Sequence, residues 1–149
     1  MKVIDYFESD DQEYWLSKIK ESDWDAGQYL YGLLKDHGLK ALVGPRVRVL
    51  LLTEGEQLIS FCTLADKDDI QPTALGPWVG WMYTFSAHRG HRYAGLLLRH
   101  AESTARADGA DAVYISTNHD GLYEKYGYEF MQVMKDIDGQ DSRVYIKHL

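Results

Sequence analysis

Between Trp78 and Ser116 the chain reads as strand, helix and strand, and that order narrows the folds open to it. Trp78–Ser86 (WVGWMYTFS) is aromatic and β-prone. Tyr93–Ala107 then places Ala94, Leu97, Leu98, Ala101 and Ala105 on one helical side. Ala112–Ser116 (AVYIS) reads as a short buried strand. Strand, helix and strand in this order make a β-α-β unit with parallel strands. Upstream, Arg46–Thr53 (RVRVLLLT) and Leu58–Ala65 (LISFCTLA) are strand-like and are joined by the turn Glu54-Gly55-Glu56-Gln57. Before them come a short strand, Val3–Tyr6, and two helices. A capping box at Ser9–Gln12 opens the first, with Trp15, Leu16 and Ile19 on one face. Ser22–Asp25 caps the second, which carries Leu30, Leu33, Leu34 and His37 and stops at Gly38. Leu122–Lys125 is a short helix ended by Gly127, and Tyr128–Ile137 with Ser142–His148 form a closing hairpin. The expectation is an α/β (α+β) fold, β-α-α-β-β-β-α-β-α-β-β, whose mixed sheet carries helices on both faces. No repeat or linker divides the 149 residues, so one domain over 1–149 is expected.

Composition removes several function classes. The net charge is −7 and no Lys/Arg run occurs, which argues against nucleic acid or an anionic membrane as partner. The single cysteine, Cys62, forms no internal disulfide and no Cys-based zinc site; inside a strand beside Phe61 and Leu64 it reads as core. No helix carries two histidines at i and i+4, so no metal site is expected. Neither a signal-peptide core nor an apolar run of about 18 residues is present, and the expected location is cytoplasmic.

One window departs from this acidic background. Residues 70–101 contain no Asp or Glu, where an even spread of the 23 acids would place roughly five. The same window holds Arg89, Arg92, Arg99, His88, His91 and His100. Its centre, Arg89-Gly90-His91-Arg92-Tyr93-Ala94-Gly95, lies between a strand and a helix start. A helix N-terminus offers unpaired N–H groups and the positive end of the dipole. Small residues at Gly90, Ala94 and Gly95 let an anion approach the main chain, and arginines at the rim add charge-assisted bonds. The pattern predicts a phosphate or pyrophosphate site. Neither a P-loop nor a G-x-G-x-x-G fingerprint is present.

Three segments, in order, resemble the GNAT acetyltransferase superfamily. MYTFSAH running into RGHRYAGLLL is similar to the family's acetyl-CoA loop, Arg/Gln-x-x-Gly-x-Gly/Ala followed by Leu-Leu. Here Arg92 stands at the middle glycine and Ala94 at the last. VYIST, ending at Asn118, is similar to the strand that follows. GLYEKYGYE is similar to the Leu-Tyr-Glu-Lys-x-Gly-Phe element. The likeness is strongest from Trp78 to Phe130.

The resemblance implies a GNAT-type mixed, mostly antiparallel sheet with a central parallel strand pair that splays apart. It implies acetyl-CoA as co-substrate and no metal. Pantetheine would lie in the splay, bonded to the main chain of Tyr83 and Phe85 and to Asn118. The pyrophosphate would sit on the amides of Gly90, His91, Arg92, Tyr93, Ala94 and Gly95, with Arg89 and Arg92 at the rim. Tyr123 would be the catalytic group, a phenol that assists departure of the thiolate. Many members carry a glutamate base on the strand corresponding to Trp78–Phe85; this strand has no acid, which leaves the base open among His88, His119, Asp120 and a water chain. Aromatics Trp15, Trp24, Tyr29 and Tyr31 read first as core. Asp136, Asp138 and Asp141 border the closing hairpin, where they select a cationic amine or keep a sheet edge soluble. The implied reaction is acetyl transfer to a primary amine of a small molecule or, alternatively, of a protein. A non-catalytic acyl-CoA-binding or sensor module is the rival reading, and a homodimer is one compatible assembly.

Overall fold

A computed structural model describes residues 1–149. Its strands are β1 (Lys2–Asp5), β2 (Arg48–Glu54), β3 (Gln57–Ala65), β4 (Trp78–Thr84), β5 (Ala112–Thr117), β6 (Glu129–Lys135) and β7 (Asp141–His148). They form one sheet in the order β1-β2-β3-β4-β5-β7-β6, antiparallel except at β4–β5. The helices are α1 (Gln12–Ile19), α2 (Asp25–Lys35), α3 (Leu39–Val43) and α4 (Tyr93–Ala107). The expected mixed sheet with a central parallel pair and helices on both faces is therefore the observed fold.

Both faces of the sheet are buried because its central strands are apolar at nearly every position. Leu50, Leu52, Cys62, Leu64 and Val79 pack under Leu97, Leu98, Ala101 and Ala105 of α4. Their alternates Val49, Leu51, Phe61 and Tyr83 pack under Trp15, Ile19, Leu30 and Leu34 of α1 and α2. Burying a large apolar side chain in either layer contributes about 1.5–3 kcal/mol.

Several local expectations are corrected. The capping box does not form: Asp11 is the residue before α1 and makes no side-chain cap, while the Ser9 hydroxyl accepts from the Asp11 N–H at 3.0 Å. Trp24, not a Ser or Asp, precedes α2, and Gln28 Nε2 instead reaches the carbonyl of Ser22 at 2.7 Å. Gly38 does not end the second helix. The chain turns at His37, which adopts φ 58°, and Gly38 leads into α3, an element with no separate sequence signal. Tyr123–Tyr126 is a single 3-10 turn, closed by Gly127.

The decisive feature is how β4 and β5 part. Only Trp78 with Tyr114 and Val79 with Ile115 are paired, although β4 continues to Thr84 and β5 to Thr117. In the same stretch β4 carries an extra residue against β3: Phe61 faces Tyr83, but Thr63 faces Gly80. Trp81 absorbs the insertion at φ 48°. A bulge bends its strand and increases its twist, and this one turns the far half of β4 away from β5. The Trp81 indole N–H, bonded to Ala26 O at 2.8 Å, fixes the bent conformation.

Candidate active site

The gap opens toward the turn that leads into α4. Gly90 adopts φ 87° and Arg92 the left-handed conformation, φ 57° and ψ 32°. This conformation is unfavourable for a side chain by about 1–2 kcal/mol and sits where the family pattern has glycine. Its effect is to face successive amides the same way. The N–H groups of residues 90–94 have no main-chain acceptor; bonding resumes at Gly95, whose N–H reaches Arg92 O at 3.0 Å. Unpaired amides at the start of a 15-residue helix make a site for an anion. Beside them is a cleft of about 490 Å³, walled by His91, Arg92, Tyr93, Arg99, Lys125 and Tyr126.

Two residues of this segment do something else. A Cβ on Gly95 would meet the Tyr126 ring at 2.8 Å, so its small size serves packing of α4 against the Tyr123–Tyr126 turn, and its N–H is engaged in the helix. Arg89 is turned back on β4. Its Nε donates to Thr84 O at 2.8 Å and its guanidinium lies 4.0 Å from Asp23 and 5.5 Å from the Tyr83 ring. The hydroxyl of Tyr83 donates to Asp23, and this bond holds the Asp23 carboxyl below its usual range.

The main chain of Tyr83 and Phe85 is also corrected. The Phe85 N–H donates to Ile59 O at 3.0 Å, its carbonyl accepts from His88, and Tyr83 O accepts the Ser60 hydroxyl at 2.6 Å. Both residues therefore face β3. By strand alternation, the groups turned toward the gap are those of Met82 and Thr84. Across the gap, Asn118 is exposed at the end of β5 and caps no helix.

Tyr123 lies on the α4 side, 6% exposed, edge-on to Tyr128 at 6.1 Å. Burial raises the pKa of its phenol, helped by Cys62, Tyr126 and Asp68, so the proton stays on oxygen as a hydrogen-bond donor. Cys62 is fully buried and its thiol is pushed up to about 12, which leaves it a core residue. Of the groups left open as base, His119 and Asp120 are exposed, and Asp120 faces Arg143 at 3.8 Å. The N-terminal aromatics divide: Trp15 is core, Trp24 stacks on Tyr83 at 5.6 Å, Tyr31 is half-buried, and Tyr29 is 53% exposed near Trp81.

The opposite mouth of the gap holds residues that local sequence does not mark. The β3–β4 loop brings Asp68 over Gly80, where a Cβ would run into the Asp68 carboxylate and come 3.2 Å from Thr63 Oγ1. Burial, with Asp69 next, pushes the Asp68 carboxyl from its usual 3.8 to about 7; burial raises Asp69 as well. The Thr63 hydroxyl and Asp69 Oδ1 are buried without partners.

The family model described as acetyltransferase (GNAT) domain matches residues 45–130. The chain belongs to the GNAT acetyltransferase family. No curated protein sequence matches it. Among solved structures, the aminoglycoside 6'-N-acetyltransferase from Enterococcus faecium aligns with TM-score 0.71 at 14% identity over 99% of this chain and 97% of that one. An aminoglycoside 6'-N-acetyltransferase complexed with coenzyme A gives 0.67 at 13%, with coverage of 99% and 97%. An acyl-CoA N-acyltransferase from Pseudomonas aeruginosa gives 0.66 at 19%, with 98% and 97%. Identities this low establish the shared GNAT fold. No helix is long and apolar enough to cross a membrane.

Proposed function

We propose that this GNAT protein transfers the acetyl group of acetyl-CoA to a primary amine. The observation that carries the reading is the run of unpaired amides at residues 90–94 beside the splayed ends of β4 and β5. The amides of Gly90, His91, Arg92, Tyr93 and Ala94 receive the diphosphate, with the Arg92 and Arg99 side chains adding charge. Arg89 holds the end of β4 and the Asp23–Tyr83 pair in place. The pantetheine arm completes the sheet between β4 and β5, bonding to the main chain of Met82 and Thr84 and to Asn118. That arrangement brings the thioester between the two faces of the gap.

Tyr123 donates to the sulfur as negative charge develops there. Because its phenol is harder to ionise than usual, its contribution is a hydrogen bond that strengthens in the transition state while the proton stays on the phenol oxygen. Fixed geometry supplies most of the remaining rate. Acetyl transfer from a thioester calls for no metal. The acceptor is a small-molecule amine, a reading supported by the aminoglycoside acetyltransferases among the structural neighbours and by the aromatic side of the gap formed by Trp24, Tyr29 and Trp81. A protein amine is the second class. The reading treats the chain as a single cytoplasmic domain and leaves a homodimer compatible with it.

The test is release of free thiol from acetyl-CoA over a panel of kanamycin, spermidine and a lysine-containing peptide. Turnover with at least one acceptor is expected, and Tyr123→Phe should lower kcat about ten- to a thousandfold with acetyl-CoA binding intact. Tight coenzyme A binding without thiol release would favour the sensor reading. Unchanged turnover in Tyr123→Phe would remove the tyrosine from the chemistry.

A further inference from the structure

We infer that Asp68, carried by the β3–β4 loop, is the general base of the transfer reaction, occupying the place that a side chain on β4 at position 80 would fill. The inference rests on the acetyltransferase reading above.

The strand itself has no acid, and Gly80 stands at the bulge where β4 leaves β5. A side chain there would point into the Asp68 carboxylate and toward the Thr63 hydroxyl. The absent side chain and the intruding carboxylate are thus complementary: one volume, filled from the neighbouring loop. Thr63 belongs to the sheet face covered by α1 and α2, as the alternation with Cys62 and Leu64 shows. Asp68 therefore approaches the gap from the face opposite α4, while Tyr123 approaches from the α4 side. An acceptor entering from the Asp68 side meets the base before the thioester, with the sulfur's donor beyond it.

The loop is built to hold this position. Lys67 N–H donates to Val43 O at 3.1 Å, and Gln71 Nε2 spans Leu42 O at 3.2 Å and Asp68 O at 2.7 Å. Ile70 is 1% exposed, packed with Trp78 and Val144, and Ile137 N–H donates to Asp69 O at 2.8 Å. Four attachments, to α3, β4, β7 and the β6–β7 hairpin, fix a segment that otherwise has no regular structure. The carboxylate they fix is partly exposed, accepts the Asp69 N–H and has no cation beside it. A partly desolvated acid with no cation to offset it costs stability, and such cost is concentrated at functional sites.

The chemistry balances as follows. Asp68 takes one proton from the R–NH3⁺ acceptor. The freed lone pair on nitrogen forms the C–N bond to the thioester carbonyl carbon, and the C–S bond breaks with its electron pair going to sulfur. Tyr123 donates a hydrogen bond to that sulfur, which takes the second proton as the nitrogen releases it and the amide forms. Asp68 returns its proton to water, so the products are amide, thiol and one proton.

The titratable groups facing Asp68 are Asp69 on its own loop and Tyr123 across the gap, and Asp136 of the β6–β7 hairpin faces Asp69. Asp69 opposes ionisation of Asp68, and Asp136 opposes that of Asp69. kcat/KM of the wild type should therefore rise with pH to a plateau, with an inflection near 7.

The experiment measures thiol release with the best acceptor among kanamycin, spermidine and the lysine peptide. Asp68→Asn should lower kcat by about 10²–10³-fold, remove the inflection near pH 7, and leave coenzyme A affinity within about twofold. Affinity in that range shows the variant to be folded. The double variant Asp68→Gly, Gly80→Glu returns a carboxylate to the same place from β4 and should recover at least about tenfold of the loss. Wild-type turnover in Asp68→Asn, or an unchanged pH profile, would overturn the assignment of the base while leaving the transferase intact. Wild-type protein that binds coenzyme A and releases no thiol with any acceptor would overturn both.

Discussion

Glu102 is a buried carboxylate and Asp68 a half-buried one, and the protein surrounds them in opposite ways. Glu102, on α4, is 8% exposed and fully engaged: Tyr128 donates to it at 2.8 Å and Lys147 Nζ at 2.9 Å, and that same ammonium donates to Tyr126 O at 2.8 Å. The network ties α4, β7 and the Tyr123–Tyr126 turn into one unit. Asp68, on the other face, has an acid for a neighbour, an unpartnered threonine hydroxyl nearby and no cation. One carboxylate is satisfied by the fold and serves it. The other is held by its loop with the Asp69 N–H but no cation, which leaves it the capacity to take a proton when its substrate arrives. Burial alone does not separate structural from chemical residues here; the completeness of the partner set does.

Removing a partner from each site should break the comparison in opposite directions. The larger effect is at the satisfied site. Lys147→Met leaves Glu102 buried with only the Tyr128 hydroxyl, and should destabilise the fold by about 2–3 kcal/mol, at the low end for a buried pair because Lys147 is partly exposed. Thermal unfolding should show a Tm lower by roughly 5–10 °C; an unchanged Tm would show that the network contributes nothing to stability.

A smaller effect of opposite sign is expected at the unsatisfied site. The Asp68 carboxyl is raised in the folded state to about 7 from its usual 3.8. Below about pH 4 the group is protonated in both states and imposes no penalty. As pH rises from about 4 to 7 the unfolded chain ionises first, so stability is lost across that interval and the full penalty is present above it. Asp68→Asn should therefore raise Tm at pH 8 by about 3 °C or more, and the difference should shrink as pH approaches 4. A lower Tm at pH 8 would mean that the ionised carboxylate has a partner that compensates its burial.

The same contrast explains what was legible in the sequence. The β-α-β unit was readable because Trp78–Ser86 is aromatic and β-prone, Tyr93–Ala107 carries a helical period, and a short turn joins them. The run of unpaired amides proposed to take the anion was readable because its ingredients are contiguous: residues 90–94 and the helix start they precede. Features that depend on distant segments were not. Trp81 lies in an aromatic run that reads as a regular strand, and its bulge is visible only against the register of β3. The partner of Arg89 is Asp23, sixty-six residues away by sequence number. Asp68 sits in Asp66-Lys67-Asp68-Asp69, which reads as an ordinary solvated loop; its meaning comes from Gly80, Val43 and Leu42, which only folding brings near. The faint available signal was the pairing of a strand glycine with the absence of any strand acid. The caps failed for a related reason: Ser9 and Ser22 have the right chemistry, but the chain enters α1 and α2 two residues later, at Asp11 and Trp24.

The account depends most on the diphosphate site, and the most direct measurement is a ¹⁵N-labelled titration with coenzyme A followed amide by amide. The account predicts large, saturable shifts for residues 90–94, with Met82 and Thr84 moving in the same titration and Phe85, whose N–H is engaged with Ile59, moving least along that strand. Saturation with the amides of 90–94 unmoved, or with the shifts centred elsewhere on the surface, would contradict it.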